Sequence, residues 1–181
     1  MARYDDGHEP LQRQLRSVSN GVADGRVAVF VHIFVDADAC PVKEEVYRVA
    51  GRLHLEVTLV ANSWMRVPSE EWIRLEVVGS GLDAADDWIA ERVGPGDIVV
   101  TSDILLVSRC IKQGARVVGP NGRRFTEDNI GDVVATRDLL TDLRSGGERT
   151  SGPPPLGKRD RSRFLQQLDE VIHSARRESA R

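Results

Sequence analysis

Along the chain, short apolar runs alternate with longer stretches in which apolar positions recur every three or four residues. The first run, from Val27 to Val35, is rich in β-branched and aromatic residues and predicts a buried strand. Pro41 then falls where a first helical residue belongs, and Val42, Val46, Val49 and Ala50 share one helical face, with Gly51 near its end. A second strand is predicted from Leu55 to Ala61. Beyond a loop holding Trp64, Met65, Arg66 and Pro68 comes a third, from Ile73 to Val78. Asp83 stands as a good cap for a helix running to about Val93, which Gly94-Pro95-Gly96-Asp97 breaks. Ile98-Val99-Val100-Thr101 predicts a fourth strand, Ile104 to Lys112 a helix, and Arg116-Val117-Val118 a short fifth strand before the turn signal Pro120-Asn121-Gly122. A helix from Thr126 to Leu143, an irregular loop over 145–157 and an amphipathic helix over 158–176 complete the pattern.

Strands alternating with helices form βαβ units, which imply a parallel sheet covered on both faces. The predicted fold is α/β: a three-layer α/β/α sandwich around a mostly parallel sheet of about five strands. Residues 1–26 are polar and read as a disordered leader, 27–176 as a single domain with a Pro-rich loop at 145–157, and 177–181 as a disordered tail.

Composition changes this picture little. Of 181 residues, 40% are hydrophobic and 29% charged, as in an ordinary globular domain, and the formal net charge is -3. The distribution says more. Residues 144–181 carry nine Lys/Arg against five Asp/Glu, whereas the rest carries sixteen against twenty-three. A basic tail beside an acidic body fits either a polyanionic partner or a solvated terminal helix. Two cysteines, Cys40 and Cys110, make neither a disulfide framework nor a zinc site. With no apolar run of membrane-spanning length and no signal-like start, the expected location is the cytoplasm.

The chemistry gathers at strand ends. The first strand stops at two carboxylates, Asp36 and Asp38, ahead of a helix; the fourth stops at Ser102-Asp103. Parallel strands present their carboxyl ends on one edge, where open α/β sheets bind ligands. The helix start Gly81-Leu82-Asp83-Ala84-Ala85-Asp86-Asp87 brings three more acids, Asp83 lying within one turn of both Asp86 and Asp87. Such acids have structural roles too: Asp38 as a cap, Asp36 in a salt bridge, the α-helical trio complementing the helix dipole. If they converge, they repel unless a cation stands between them. All-oxygen ligands without His or Cys suit Mg²⁺ or Mn²⁺, which activates water and stabilises charge on a phosphodiester. His8, His32, His54 and His173 are scattered, and no P-loop, GxGxxG or Ser-His-Asp pattern competes.

The runs VDADACPVKEEVYRVA, GLDAADDWIAERVGPGDIVVTSDILL and GARVVGPNGRRFTEDNIG closely resemble the YaiI/YqxD (UPF0178, DUF188) family, over nearly everything from about Ile33 to Leu168. That family is itself similar to PIN-like domains, a metal-dependent nuclease superfamily that includes NYN domains. The resemblance implies a PIN-like fold with Asp36 as the first-strand acid and Asp38 where that pattern usually has Asn. It also implies Asp103 as the acid of a Thr-x-Asp motif, Asp86 as that of an Asp-x-x-Ile motif, and Asp83 as part of a Gly-Val-Asp-like element. Asp86 and Asp87 stay open as alternatives. Implied with these are an Mg²⁺ or Mn²⁺ cofactor and a nucleic-acid substrate, RNA foremost.

Lesser candidates follow. Lys43, one turn into the first helix, is placed to reach a phosphate, and Asn62 and Ser63 follow the second strand on the same edge. Arg144, Arg149, Lys158, Arg159, Arg161 and Arg163 flank the Pro-rich loop and suit phosphate contacts if it folds over the acids. Cys40 at a helix start is a place where a thiol's pKa can fall, against a buried structural role. Trp64 and Trp88 are candidates for base stacking, Trp88 rather for the core. Against the nuclease stand a non-catalytic nucleic-acid-binding module and, third, a haloacid-dehalogenase-type phosphatase, which also opens with Asp-x-Asp after a strand.

Overall fold

A computed structural model of the chain describes residues 31–179, apart from Ala39, Ser80, Leu82 and 146–155, together with two short strands before them; of 138–145 it gives the backbone alone. Those strands, β1 (Val22–Ala23) and β2 (Arg26–Val27), pair antiparallel with each other. Then follow β3 (His32–Asp36), α1 (Lys43–Leu53), β4 (Glu56–Ala61), β5 (Ile73–Val77), α2 (Ala84–Arg92), β6 (Ile98–Val100) and α3 (Ile104–Lys112). The chain continues with β7 (Arg116–Val118), β8 (Arg124–Phe125), α4 (Glu127–Ser145) and α5 (Lys158–Ser179).

The main sheet has six strands in the order β5-β4-β3-β6-β7-β8, parallel except for β8. Successive side chains of β3 alternate between two cores. Ile33 and Val35 join Val57, Leu59, Ile98 and Val100 beneath α1 and α5, while Phe34 joins Val60, Val99 and Val117 beneath α2, α3 and α4. This is the expected three-layer arrangement. Val42, the cap residue of helix α1, and Val46, Val49 and Ala50 within it are seated as the spacing predicts, each valine's burial stabilising the fold by about 1.5–3 kcal/mol. Gly51 lies near the end of α1, as expected, and the helix is closed by His54 in the left-handed region at φ 52°. None of the helices among the described residues is long and apolar enough to cross a membrane.

Several elements differ from expectation. The apolar run from Val27 is not one strand: Val27 pairs with Val22, and the sheet strand begins at His32. An apolar run marks burial, not where a ladder starts. Strand β8, unread in the sequence because it has only two residues, follows the Pro120–Gly122 turn and folds back on β7. Gly122 itself has φ +77°, and a Cβ there would lie 2.7 Å from Arg163 Cγ, so α5 crosses the turn at a place only glycine fits. Helix α5 runs to Ser179, past the expected 176. Of the leader, 1–21, 24 and 25 lie outside the described residues, as do most of the Pro-rich loop and 180–181.

Two features of the topology set up the site. From β3 the chain moves outward to β4 and β5, then returns through α2 to β6 on the other side of β3. The loops after β3 and β6 therefore diverge, opening the crevice at which such sheets bind ligands. Between β4 and β5, parallel neighbours normally joined by a helix, residues 62–72 cross without one.

Candidate acidic site at the sheet edge

Strand β3 ends on Asp36, half-buried, with its ladder carried one residue further by Ala37 N–H to Val60 O (2.8 Å). Strand β6 is followed at once by Thr101, 1% exposed, whose hydroxyl does two things. It donates to Asp36 Oδ2 at 2.9 Å and accepts the Asp103 N–H at 3.0 Å. Asp36 and the Asp103 backbone are thus joined through one oxygen, and two acids 67 positions apart in sequence numbering meet at the switch point. Asp103 Oδ1 also caps α3, accepting from Leu105 N (2.7 Å) and Leu106 N (3.2 Å). Asp38 is exposed, and its Oδ2 accepts from Asn62 N at 2.8 Å, fastening the loop after β3 to the loop after β4.

The third element is the start of α2. Asp83 holds the residue before the helix but makes no side-chain cap bond, contrary to expectation. Asp86 faces the strand ends. Burial and then the charges of Asp103, Asp36 and Asp83 push its carboxyl up to about 6, with Arg109 opposing. Burial likewise raises Asp36, helped by Asp38 and Asp103 and opposed by the Thr101 hydrogen bond and Lys43. Asp87, one residue on, turns to α3 instead and pairs with Arg109 at 2.8 Å. The geometry therefore separates the two alternatives: Asp86 belongs to the acidic group and Asp87 to the helix–helix surface.

The model of the YaiI/YqxD family (DUF188, "Uncharacterized BCR") matches residues 34–174, which takes in every element from β3 through most of α5. The chain belongs to the YaiI/YqxD family. A UPF0178 protein of Rhodopseudomonas palustris is 60% identical over 149 residues, 82% of this chain and 94% of its own. UPF0178 proteins of Bradyrhizobium diazoefficiens (57% over 145 residues, 80% and 87%) and Paramagnetospirillum magneticum (55% over 145 residues, 80% and 96%) are also similar. No solved structure matches.

Within this YaiI/YqxD chain the remaining candidates divide. Lys43 is half-buried, its Nζ donating to Ala37 O at 2.7 Å, so its ammonium stands at the end of β3 rather than in solvent. Asn62 and Ser63 are exposed on the same edge. Lys158 and Arg159 are exposed at the start of α5. That start is docked beside α1, because Arg161 Nη1 reaches Pro41 O (2.9 Å) and both carboxylate oxygens of Glu45 (2.9 and 3.0 Å). Arg161 is therefore engaged within the fold: it neutralises Glu45, which is only 7% exposed and would be costly alone. Arg144 has only its helical backbone described, and Arg149 lies outside the described residues. Cys40 is buried and its thiol is pushed up to about 11, so burial outweighs the helix start and the structural role holds. Trp88 packs in the second core, with Phe34 at 6.2 Å and the Arg92 guanidinium over its ring.

Thr101 was the residue hardest to foresee as part of the site. Its signal is a polar side chain ending a fully apolar strand two positions before an acid. As the side chains stand, no three His, Cys, Asp or Glu among the described residues close around one point. The donor chemistry nonetheless suits a hard cation. Asp36, Asp38 and Asp103 each commit one named oxygen to the fold and keep the other clear of hydrogen bonds among the described residues.

Proposed function

We propose that this YaiI/YqxD protein is a divalent-cation-dependent phosphodiesterase acting on nucleic acid, RNA foremost. The observation that carries the reading is the meeting of Asp36, Asp86 and Asp103 at one sheet edge. Three elements deliver carboxylates to one crevice; burial first, and then neighbouring acids, raise Asp36 and Asp86 above the ordinary carboxylate range. Repelling acids at a ligand-binding edge are relieved by a bound cation. Asp36, Asp86 and Asp103, with Asp38 at the rim, would hold Mg²⁺ or Mn²⁺; the ion supplies charge stabilisation at phosphorus and acidifies water. The PIN-like pattern that these positions resemble agrees with this.

The chain's own groups account for the rest. Thr101 fixes the spacing of Asp36 and Asp103 from within the sheet, so neither carboxylate needs to reorganise its backbone to ligate. Lys43, anchored on Ala37 O, offers a cation beside the acids for a substrate phosphate. Lys158 and Arg159 supply further affinity from the start of α5.

The test is cleavage of single-stranded RNA by the full chain with Mn²⁺. Asp36→Asn retains an acceptor for the Thr101 hydroxyl while removing the charge, and should abolish cleavage without changing the fold; chelation should do the same to the wild type. Cleavage that survives Asp36→Asn and Asp103→Asn rejects the assignment. A second reading, a binding module without turnover, is favoured by the structural hydrogen bond that Asp36, Asp38 and Asp103 each already make. Tight binding with no cleavage under any divalent cation would establish it.

A further inference from the structure

The crossing between β4 and β5 leaves a feature that the acidic crevice does not use. Because residues 62–72 run from one parallel strand to the next without a helix, that part of the sheet face is covered by an extended segment. Met65, Val67 and Trp72 pack down onto the first core. Trp64 does not: it is 77% exposed, the most exposed large hydrophobic side chain among the described residues, and Val77 on the edge strand is 50% exposed beside it in the same hollow. Two hollows flank the crossing. One, of about 370 Å³, lies between Lys43, Glu44 and Tyr47 of α1 and Arg66, Val67 and Pro68 of the crossing. The other, of about 570 Å³, lies between Trp64, Met65 and Arg66 and the edge strand. They share Arg66, Val67 and Ser69, so they adjoin along the crossing as one groove-like face.

The groove lies beside the acids. Lys43 lines the first hollow and is the same lysine that is fixed at 2.7 Å on Ala37 O and whose charge reaches Asp36. Arg66, which lines both hollows, is exposed and in no ion pair among the described residues. Glu44 is the one acid in the lining of the first hollow, set against the two cations. The bare indole of Trp64 lines the second, two residues along from Asn62, whose backbone N–H is held by Asp38. Two cations and an aromatic plane beside a crevice suited to a phosphodiester match the phosphates and base faces of an unpaired nucleotide strand. A duplex does not fit this set, because its base faces are already stacked on one another and closed to a side chain.

We infer that the groove along the 62–69 segment docks single-stranded nucleic acid, with Arg66 and Lys43 on successive phosphates and Trp64 stacking on an unpaired base. The inference rests on the reading above for where the strand is cut, but not for whether it binds. Trp64 has no packing role to lose, so its removal isolates the contact.

The experiment measures fluorescence anisotropy of labelled oligonucleotides of about ten residues, a typical single-strand site size, with the full chain in chelator. Three probes are used: single-stranded RNA, single-stranded DNA and the matching duplex. The wild type should bind single strands at least about tenfold more tightly than duplex. Trp64→Ala should weaken single-strand binding by about tenfold or more, Trp64→Phe should restore most of it, and neither should move the melting temperature. Arg66→Ala should weaken it and flatten the salt dependence by about one phosphate's worth. RNA and DNA bound alike mean readout by stacking alone; a preference for RNA means the 2′-hydroxyl is also touched, and both outcomes support the groove. Single-strand affinity unchanged by Trp64→Ala, equal affinity for duplex, or no binding at all overturns it. So does a dimer that Trp64→Ala dissolves without touching oligonucleotide binding, since the exposed edge of β5 would then be a self-association surface. The two readings fail separately. Trp64-dependent binding without Asp36-dependent cleavage removes the nuclease and keeps the groove. Asp36-dependent cleavage indifferent to Trp64 does the reverse.

Discussion

Helices α2 and α3 both begin just after an aspartate, at Asp83 and Asp103, and the two starts behave differently. At α3 the carboxylate works for the fold: Oδ1 takes two backbone N–H groups and the backbone N–H rests on Thr101. At α2 the aspartate in the cap position makes no cap bond, and the acid one turn in, Asp86, is turned toward other acids and held up to about 6. The first start would exist in a protein with no activity at all. The second is unfavourable for stability in the unliganded chain, and a group kept at the cost of stability marks function more clearly than a group that caps a helix.

The sharpest way to break this comparison is at the oxygen that ties the start of α3 to Asp36. Thr101→Val leaves the Asp103 N–H buried without its acceptor and strips Asp36 of its donor. It should cost about 1–3 kcal/mol in denaturant unfolding, with Thr101→Ser close to wild type; a neutral Thr101→Val would mean the link carries no load. Next comes the cap. Asp103→Ala should cost about 1 kcal/mol and Asp103→Asn only a few tenths, because asparagine caps as well as aspartate. Both should abolish cleavage, so equal stability losses would show that charge rather than capping holds α3.

Asp86 should move stability the other way. A carboxyl raised in the fold binds its proton more tightly there than in the unfolded chain. Its relative stabilisation is complete below about pH 4, the ordinary aspartate value, and is lost as pH rises through about 6. Asp86→Asn should therefore melt with the wild type at pH 4 and above it at pH 8, in chelator. Added Mn²⁺ should raise the wild-type melting temperature at pH 8 and raise it less as pH falls below 6, while leaving Asp86→Asn unmoved. An Asp86→Asn variant that melts below wild type at pH 8 ends the argument that this acid is held under strain. The smallest effect belongs to Asp87→Ala. Losing a surface pair with Arg109 should shift stability by no more than about 1 kcal/mol and leave the Mn²⁺ response intact.

Much of this was readable beforehand, for definite reasons. Strand alternation fixes which edge Asp36 and Asp103 share, because every parallel strand points its carboxyl end the same way. It does not fix the rotation of α2 about its axis. That is decided when Ala85, Ile89 and Ala90 seat in the second core, and it alone chooses Asp86 over Asp87. Capping by Asp83 failed for a related reason: residue type permits the bond, but the local backbone decides whether it forms. At Cys40 a helix start and a buried position act in opposite directions, and the fold bears out the buried structural role. The crossing over 62–72 was legible as a loop, yet nothing in its composition says that it replaces a helix between parallel strands or leaves Trp64 bare.

The Arg161 contact to Pro41 and Glu45 has a consequence for biosynthesis. The residue that seats the first turn of α1, just after Asp36 and Asp38, lies 120 positions further along the chain than Pro41. A nascent chain can pair its strands while still threaded through the ribosome, but the brace on the loop after β3 arrives only when α5 emerges. The acidic crevice is thus completed after the body of the sheet has been made.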